Sequence, residues 1–97
     1  MTDRLCYVYI IANDTNTTLY IGVTRDLSRR SWEHKEKRGS IFAKKYDAHR
    51  LVYYEVHYVM DEAIKREKKL KNWHRAWKER LINSTNPGWV DLYDTLI

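Results

Sequence analysis

The chain has one cysteine, one proline, three glycines and one phenylalanine among its 97 residues. With Cys6 alone, no internal disulfide can form. Its thiol, set in an apolar run, reads as a small core residue in a reducing compartment. The single proline, Pro87, lies close to the C-terminus, and no linker, repeat or low-complexity tract is visible. No apolar run reaches the roughly 20 residues that a membrane-spanning helix needs. The first residues, MTDRLCYVYIIAN, lack the basic start and small-residue cleavage site of a secretory signal. These absences lead to the expectation of one soluble, cytoplasmic domain over residues 1–97, with its core at about 6–83 and a short tail.

What is present is aromatic and basic. Hydrophobic residues make up 43% of the chain, enough for a packed core and against global disorder. Eight tyrosines and four tryptophans supply nearly all the aromatic bulk. Such rings carry a polar tip and suit half-wet faces and clefts. Eighteen Lys and Arg against thirteen acids give +5 and a pI near 9.4, which favours a polyanionic partner, nucleic acid first. A solvated basic surface is the structural alternative.

Periodicity predicts strands at 6–13 and 18–23 joined by a polar turn, and a third strand at 50–58. Helices are expected at 27–37, capped by Thr24 or Asp26, at 62–73, capped by Asp61, and at 75–83. Residues 89–92 suggest a short extended segment after the break at NPGW. The order β-β-α-β-α-α predicts an α+β fold, a three-stranded antiparallel sheet with an N-terminal β-hairpin flanked by helices. Alternation puts Tyr7, Tyr9 and Ile11 on one sheet face and Val8, Ile10 and Ala12 on the other. Tyr20 and Gly22 share a face, and a glycine inside a strand marks close approach by a neighbour.

Three polar residues fall on apolar stripes. Arg30 and His34 follow Leu27 at helical spacing, and an inward arginine needs an anion. Glu55 or Glu67 is the structural candidate and a bound phosphate the functional one. Glu67 lies between Ile64 and Leu70, where a carboxylate wants an arginine or a divalent cation. Phenols and an imidazole for moving a proton, a guanidinium for a phosphoryl charge and a carboxylate for a metal form an inventory for hydrolysing a phosphodiester.

In this arrangement the hairpin resembles the GIY-YIG endonuclease family. YVY at 7–9 stands at the first triplet and YIG at 20–22 is an intact second triplet, with ten residues between Tyr9 and Tyr20. Arg30 lies ten after Tyr20, His34 four later, and Glu67 stands on a later helix. The compactness is similar to that of small stand-alone bacterial members and of the excinuclease C subunit's catalytic domain. The resemblance implies that Tyr9 positions or deprotonates water and that Tyr20 supports the nucleophile or phosphate. It implies that Arg30 binds the scissile phosphate, that His34 aids proton transfer, and that Glu67 is the protein ligand of one Mg²⁺ or Mn²⁺. Asn83 matches a site-lining asparagine. Tyr7 replaces the glycine of the first triplet, and Val23 stands where some relatives carry a lysine.

Lys35, Lys37, Arg38, Lys44, Lys45, His49 and Arg50 form one basic zone. Residues 65–80, with Lys68 and Lys71, form a second, interleaved with Trp73 and Trp77. Both suit nucleic-acid backbones. The four tryptophans can stack on bases, but helical spacing assigns Trp73 and Trp77 to the core. The expected function is metal-dependent DNA cleavage, structure-selective or weakly specific, in repair or processing. The alternatives are a nucleic-acid-binding module without turnover and an adaptor of a nuclease complex.

Overall fold

The computed structural model describes residues 5–36 and 47–96. Its elements are β1 (Cys6–Ala12), β2 (Leu19–Thr24), α1 (Leu27–Lys35), β3 (Arg50–His57), α2 (Met60–Lys71), α3 (Arg75–Thr85) and a 3₁₀ turn, Tyr93–Leu96. The three strands form an antiparallel sheet in the order β2-β1-β3, so the fold is the α+β arrangement that the sequence predicts.

Alternation along β1 divides the core in two. Cys6, Val8, Ile10 and Ala12 pack with Ile21, Val52, Ala63, Leu70 and Ile82, so α2 and α3 cover that face. Tyr9 and Ile11 pack on the other face with Leu27 and Leu51, joined by Tyr7, Tyr20, Tyr54, Leu92 and Leu96. Central β1 is therefore apolar on both sides. In β3 the register shifts between Ile10 and Ile11, which pair with Tyr53 and Leu51, and Val52 is the extra residue. A bulge of this kind keeps both flanking runs on their proper faces.

The hairpin turn has no glycine, so Asn16 takes the left-handed conformation at φ 59°. Two guanidiniums clasp it. Arg50 donates to Asn13 O at 2.7 Å and to Asn16 Oδ1, and Arg75 donates to Thr17 O at 3.0 Å and to Asn16 O. Asp26, not Thr24, caps α1 by accepting from the Arg29 N–H at 3.1 Å.

Several expectations are corrected. Helix α2 starts at Met60, with Val59 in the N-cap position and no side-chain cap, so Asp61 lies in the first turn and does not cap. There it still complements the positive helix end. A helix of 12 residues is marginal alone, and buried Ala63 and Leu70 hold it to the sheet. Residues 89–92 form no strand. Leu92 N donates to Leu51 O at 2.7 Å and the chain then turns into the 3₁₀ segment. Glu55 does not meet Arg30. It accepts from Tyr53 Oη at 2.6 Å, pairs with His57 at 2.7 Å and receives Arg66 Nε at 2.8 Å, tying β3 to α2.

Asn86 ends α3 ahead of Pro87, which cannot continue a helix. It is 5% exposed, donates to Val52 O at 3.0 Å and Val90 O at 2.9 Å, and accepts from Val90 N at 3.2 Å. Replacing Asn86 by Ala leaves two carbonyls and one N–H unpaired in or near the core. Denaturant unfolding should register a loss of about 2 kcal/mol.

Candidate active site

Tyr9 is the centre of the candidate site. Its ring is 1% exposed and lies across the backbone of Gly22, its pairing partner in β2. A Cβ on Gly22 would stand 2.4 Å from Tyr9 Oη and 2.5 Å from Cζ, so the second triplet's glycine exists to seat this phenol. Gly22 shows no positive φ, so the requirement is space and not backbone conformation.

Helix α1 brings two partners to that phenol, one turn apart. Arg30 Nε donates to Tyr9 Oη at 3.3 Å, and His34 Nε2 lies 3.2 Å from the same oxygen. A phenol has one hydrogen to give. Accepting from Arg30 and donating to His34 uses its hydrogen and one lone pair. In that arrangement the imidazole hydrogen sits on Nδ1, a buried atom with no hydrogen-bond partner among the described residues. Tyr20 closes the group, with ring centroids 6.3 Å from Tyr9 and 5.2 Å from His34 and a hydrogen bond to the Arg30 guanidinium. Tyr9, Tyr20, Gly22, Arg30 and His34 thus meet in one place.

The titration of this group follows from burial. Desolvation pushes Tyr9 up to about 12, although Arg30 opposes the shift. Burial and the nearby Arg30 charge push His34 down to about 4, so it is neutral at pH 7. For Arg30, burial disfavours the charge, but hydrogen bonds to Tyr9 and Glu33 outweigh it and hold its pKa above the usual value. Glu33 is the partner that strand-to-helix reasoning missed. It accepts from Arg30 Nη1 at 3.0 Å and from Arg29 Nε at 3.3 Å. The i,i+3 and i,i+4 spacing on α1 was the available signal.

Glu67 sits elsewhere on the fold. Its side chain is 13% exposed and pairs with Lys71 Nζ at 2.6 Å, one helical turn on. Among the described residues it shares no hydrogen bond or ion pair with Arg30. A cavity of about 300 Å³ opens at the β2 edge, lined by Leu19, Tyr20, Ile21, Lys71 and Lys78. Tyr20 and the lysine that holds Glu67 therefore share one cleft. A largely buried carboxylate whose ionic partner among the described residues is a half-exposed ammonium fits a hard divalent cation that keeps most of its waters. A second group of possible ligands, Asp14, Asp47 and His49, is formed by partly or fully exposed side chains. There His49 Nε2 already bonds Asp14 at 2.9 Å, and Arg50 lies 3.9 Å from the same carboxylate.

The other candidates scatter. Tyr7 packs edge-on against Tyr54, at 6.3 Å between centroids. Asn83 is exposed and accepts from Trp89 Nε1 at 2.6 Å. Lys35 pairs with Asp91, and Arg50 is occupied by the hairpin turn and by Trp89 O at 2.6 Å. Lys68 is exposed, Lys71 is on Glu67, and Lys37, Arg38, Lys44 and Lys45 lie outside the described residues. Trp77 is 49% exposed, against the core position assigned to it, whereas Trp73 does pack partly against the core.

Comparison with known proteins shows the family. A family model described as the GIY-YIG catalytic domain matches residues 5–80, a span that includes Tyr9, Tyr20, Arg30, His34 and Glu67 but not Asn83. UPF0213 proteins of Staphylococcus aureus strains Mu50 and N315 are 34% identical over 76 residues, covering 78% of this chain and 92% of theirs. The solution NMR structure of a UPF0213 protein from Bacillus halodurans is similar at a TM-score of 0.56 and 27% identity, over 88% of this chain and 89% of that one.

Gly22→Ala should displace the Tyr9 ring and lower stability by about 1–3 kcal/mol, read by urea unfolding, with the Tyr9 ring shift visible by NMR. His34 gives a pH dependence of known sign. Its folded pKa lies below the ordinary 6.5, so the unfolded chain takes the proton first. The stability it protects is complete above pH 6.5 and is lost as pH falls toward 4, by up to about 3 kcal/mol. Unfolding curves of His34→Gln should be flatter over that window than those of the unsubstituted chain.

Proposed function

The chain belongs to the GIY-YIG catalytic domain family, a family of endonucleases that generally use a divalent metal, and from that premise we propose that it is a metal-dependent endonuclease hydrolysing phosphodiester bonds in DNA. One observation carries the reading. A guanidinium, a phenol and a neutral imidazole form a single hydrogen-bonded chain, Arg30 to Tyr9 to His34, beside the Tyr20 cleft.

In this reading the chain of bonds is idle until a phosphate arrives. Arg30's charge helps to hold His34 unprotonated. A phosphate that pairs with Arg30 offsets that charge, and the imidazole becomes the better base. Tyr9 then takes a proton from water at Oη while passing its own to His34 Nε2, so no bare phenolate is left buried. Arg30 and Tyr20 hold the phosphoryl oxygens, on which negative charge grows in the transition state. Glu67 would hold Mg²⁺ or Mn²⁺, which when bound supplies Lewis-acid stabilisation of the reacting phosphate. The compact domain suits structure-selective or weakly specific cleavage, as in DNA repair or processing. A second reading, binding without turnover, is favoured by the burial of Tyr9 and by the engagement of Glu67 with Lys71.

Purified protein incubated with nicked, branched and single-stranded DNA and Mn²⁺ or Mg²⁺ decides between the two. Cleavage should fall by about a hundredfold or more in Arg30→Ala and in Glu67→Ala, a direction set by loss of charge stabilisation at the reacting phosphate. Product formation equal in Glu67→Ala and in the unsubstituted chain removes the enzyme reading.

A further inference from the structure

The α2–α3 layer carries an aromatic groove that the site above does not use. Trp73, Trp77, Arg80, Leu81 and Ser84 line a cavity of about 330 Å³. The two indoles meet edge to face, with centroids 5.8 Å apart and planes at 86°. Trp77 is 49% exposed, and the His74 ring meets it at 87° with centroids 5.7 Å apart. The Arg66 guanidinium lies 5.2 Å from the centre of the Trp73 ring, held there by its bonds to Glu55.

The groove's charge says what it takes. Residues 60–85 contain eight lysines and arginines against four acids, and two of those acids, Glu67 and Glu79, are already paired with Lys71 and Arg75. A second cavity, of about 250 Å³, is lined by Lys65, Arg66 and Lys69 with His57 and Glu62. Among the described residues Arg80, Lys65 and Lys69 have no acidic partner. An apolar peptide or a second copy of this basic face has no use for such a rim. A flat ring carrying its own negative charge does, because it stacks on indole and places phosphate against the cations.

We propose that the Trp73–Trp77 groove seats an unpaired nucleobase of a single-stranded segment, with the flanking phosphates on Arg80 and Lys69. The proposal rests on the nucleic-acid reading above and adds to it a contact that duplex DNA, with its bases stacked inside, cannot make. It gives a physical source for preference for branched or frayed substrates.

The test is binding in EDTA, where no cleavage interferes, by anisotropy of a labelled short oligothymidylate and of a blunt duplex. Trp77→Ala should weaken oligothymidylate binding about tenfold and leave duplex binding within about twofold. Trp77→Phe, which keeps a ring, should restore most of the loss. Arg80→Gln should weaken the single strand and reduce the dependence of its affinity on salt. Far-UV circular dichroism checks that each variant is folded. Equal loss for strand and duplex, no loss in folded Trp77→Ala, no rescue by Phe, or no binding of either DNA by the unsubstituted chain overturns the proposal. Cleavage is read separately, so a chain that cuts without using Trp77 loses only this inference, and one that binds through Trp77 but never cuts loses only the enzyme reading.

Discussion

The seat of one phenol governs this molecule. Tyr9 lies flat on a strand partner that has no side chain, and its oxygen is held between a guanidinium and an imidazole. Each neighbour depends on the others. The glycine leaves the space, the ring fills it, and the two helix side chains one turn apart find an oxygen to bond. Burial then sets the chemistry, because it holds the phenol protonated and the imidazole neutral in the same small volume. Two neutral groups stand beside a positive charge whose acidic partner, Glu33, lies on the same helix.

Arg30 shows how the charge is kept available. Its one acidic partner on α1, Glu33, is shared with Arg29 and lies toward solvent. The large, well-satisfied carboxylate of the fold, Glu55, is on the opposite sheet face and is saturated by Tyr53, His57 and Arg66. Had the two been exchanged, Arg30 would be locked in a closed network. Instead the rigid polar network ties β3 to α2, and the looser one stands at the candidate site.

Much of this was legible in the sequence where the period was clear. Alternation in β1 placed the tyrosines on one face, and helical spacing placed Arg30 and His34 inward. Helix boundaries were less readable, because α2 begins on Met60 without a capping side chain and the acids at 61 and 62 imitate a cap. The partners of charged residues were misassigned when the search crossed the fold. Arg30 and Glu67 both take neighbours on their own helices, Glu33 and Lys71. Spacing also assigned the Trp73–Trp77 stripe to the core, which holds in part for Trp73 and not for Trp77.

The grouping along the chain has a dynamic consequence. Tyr9, Tyr20, Gly22, Arg30 and His34 come from the hairpin and the helix that follows it, whereas Glu67 belongs to a helix packed on the reverse of the sheet. Glu67 lies between the buried Ala63 and Leu70, and its neighbour Arg66 is tied to Glu55 on β3. Fraying of the ends of α2 therefore leaves the acid in place, and an opening that displaces it must break core contacts on that face of the sheet.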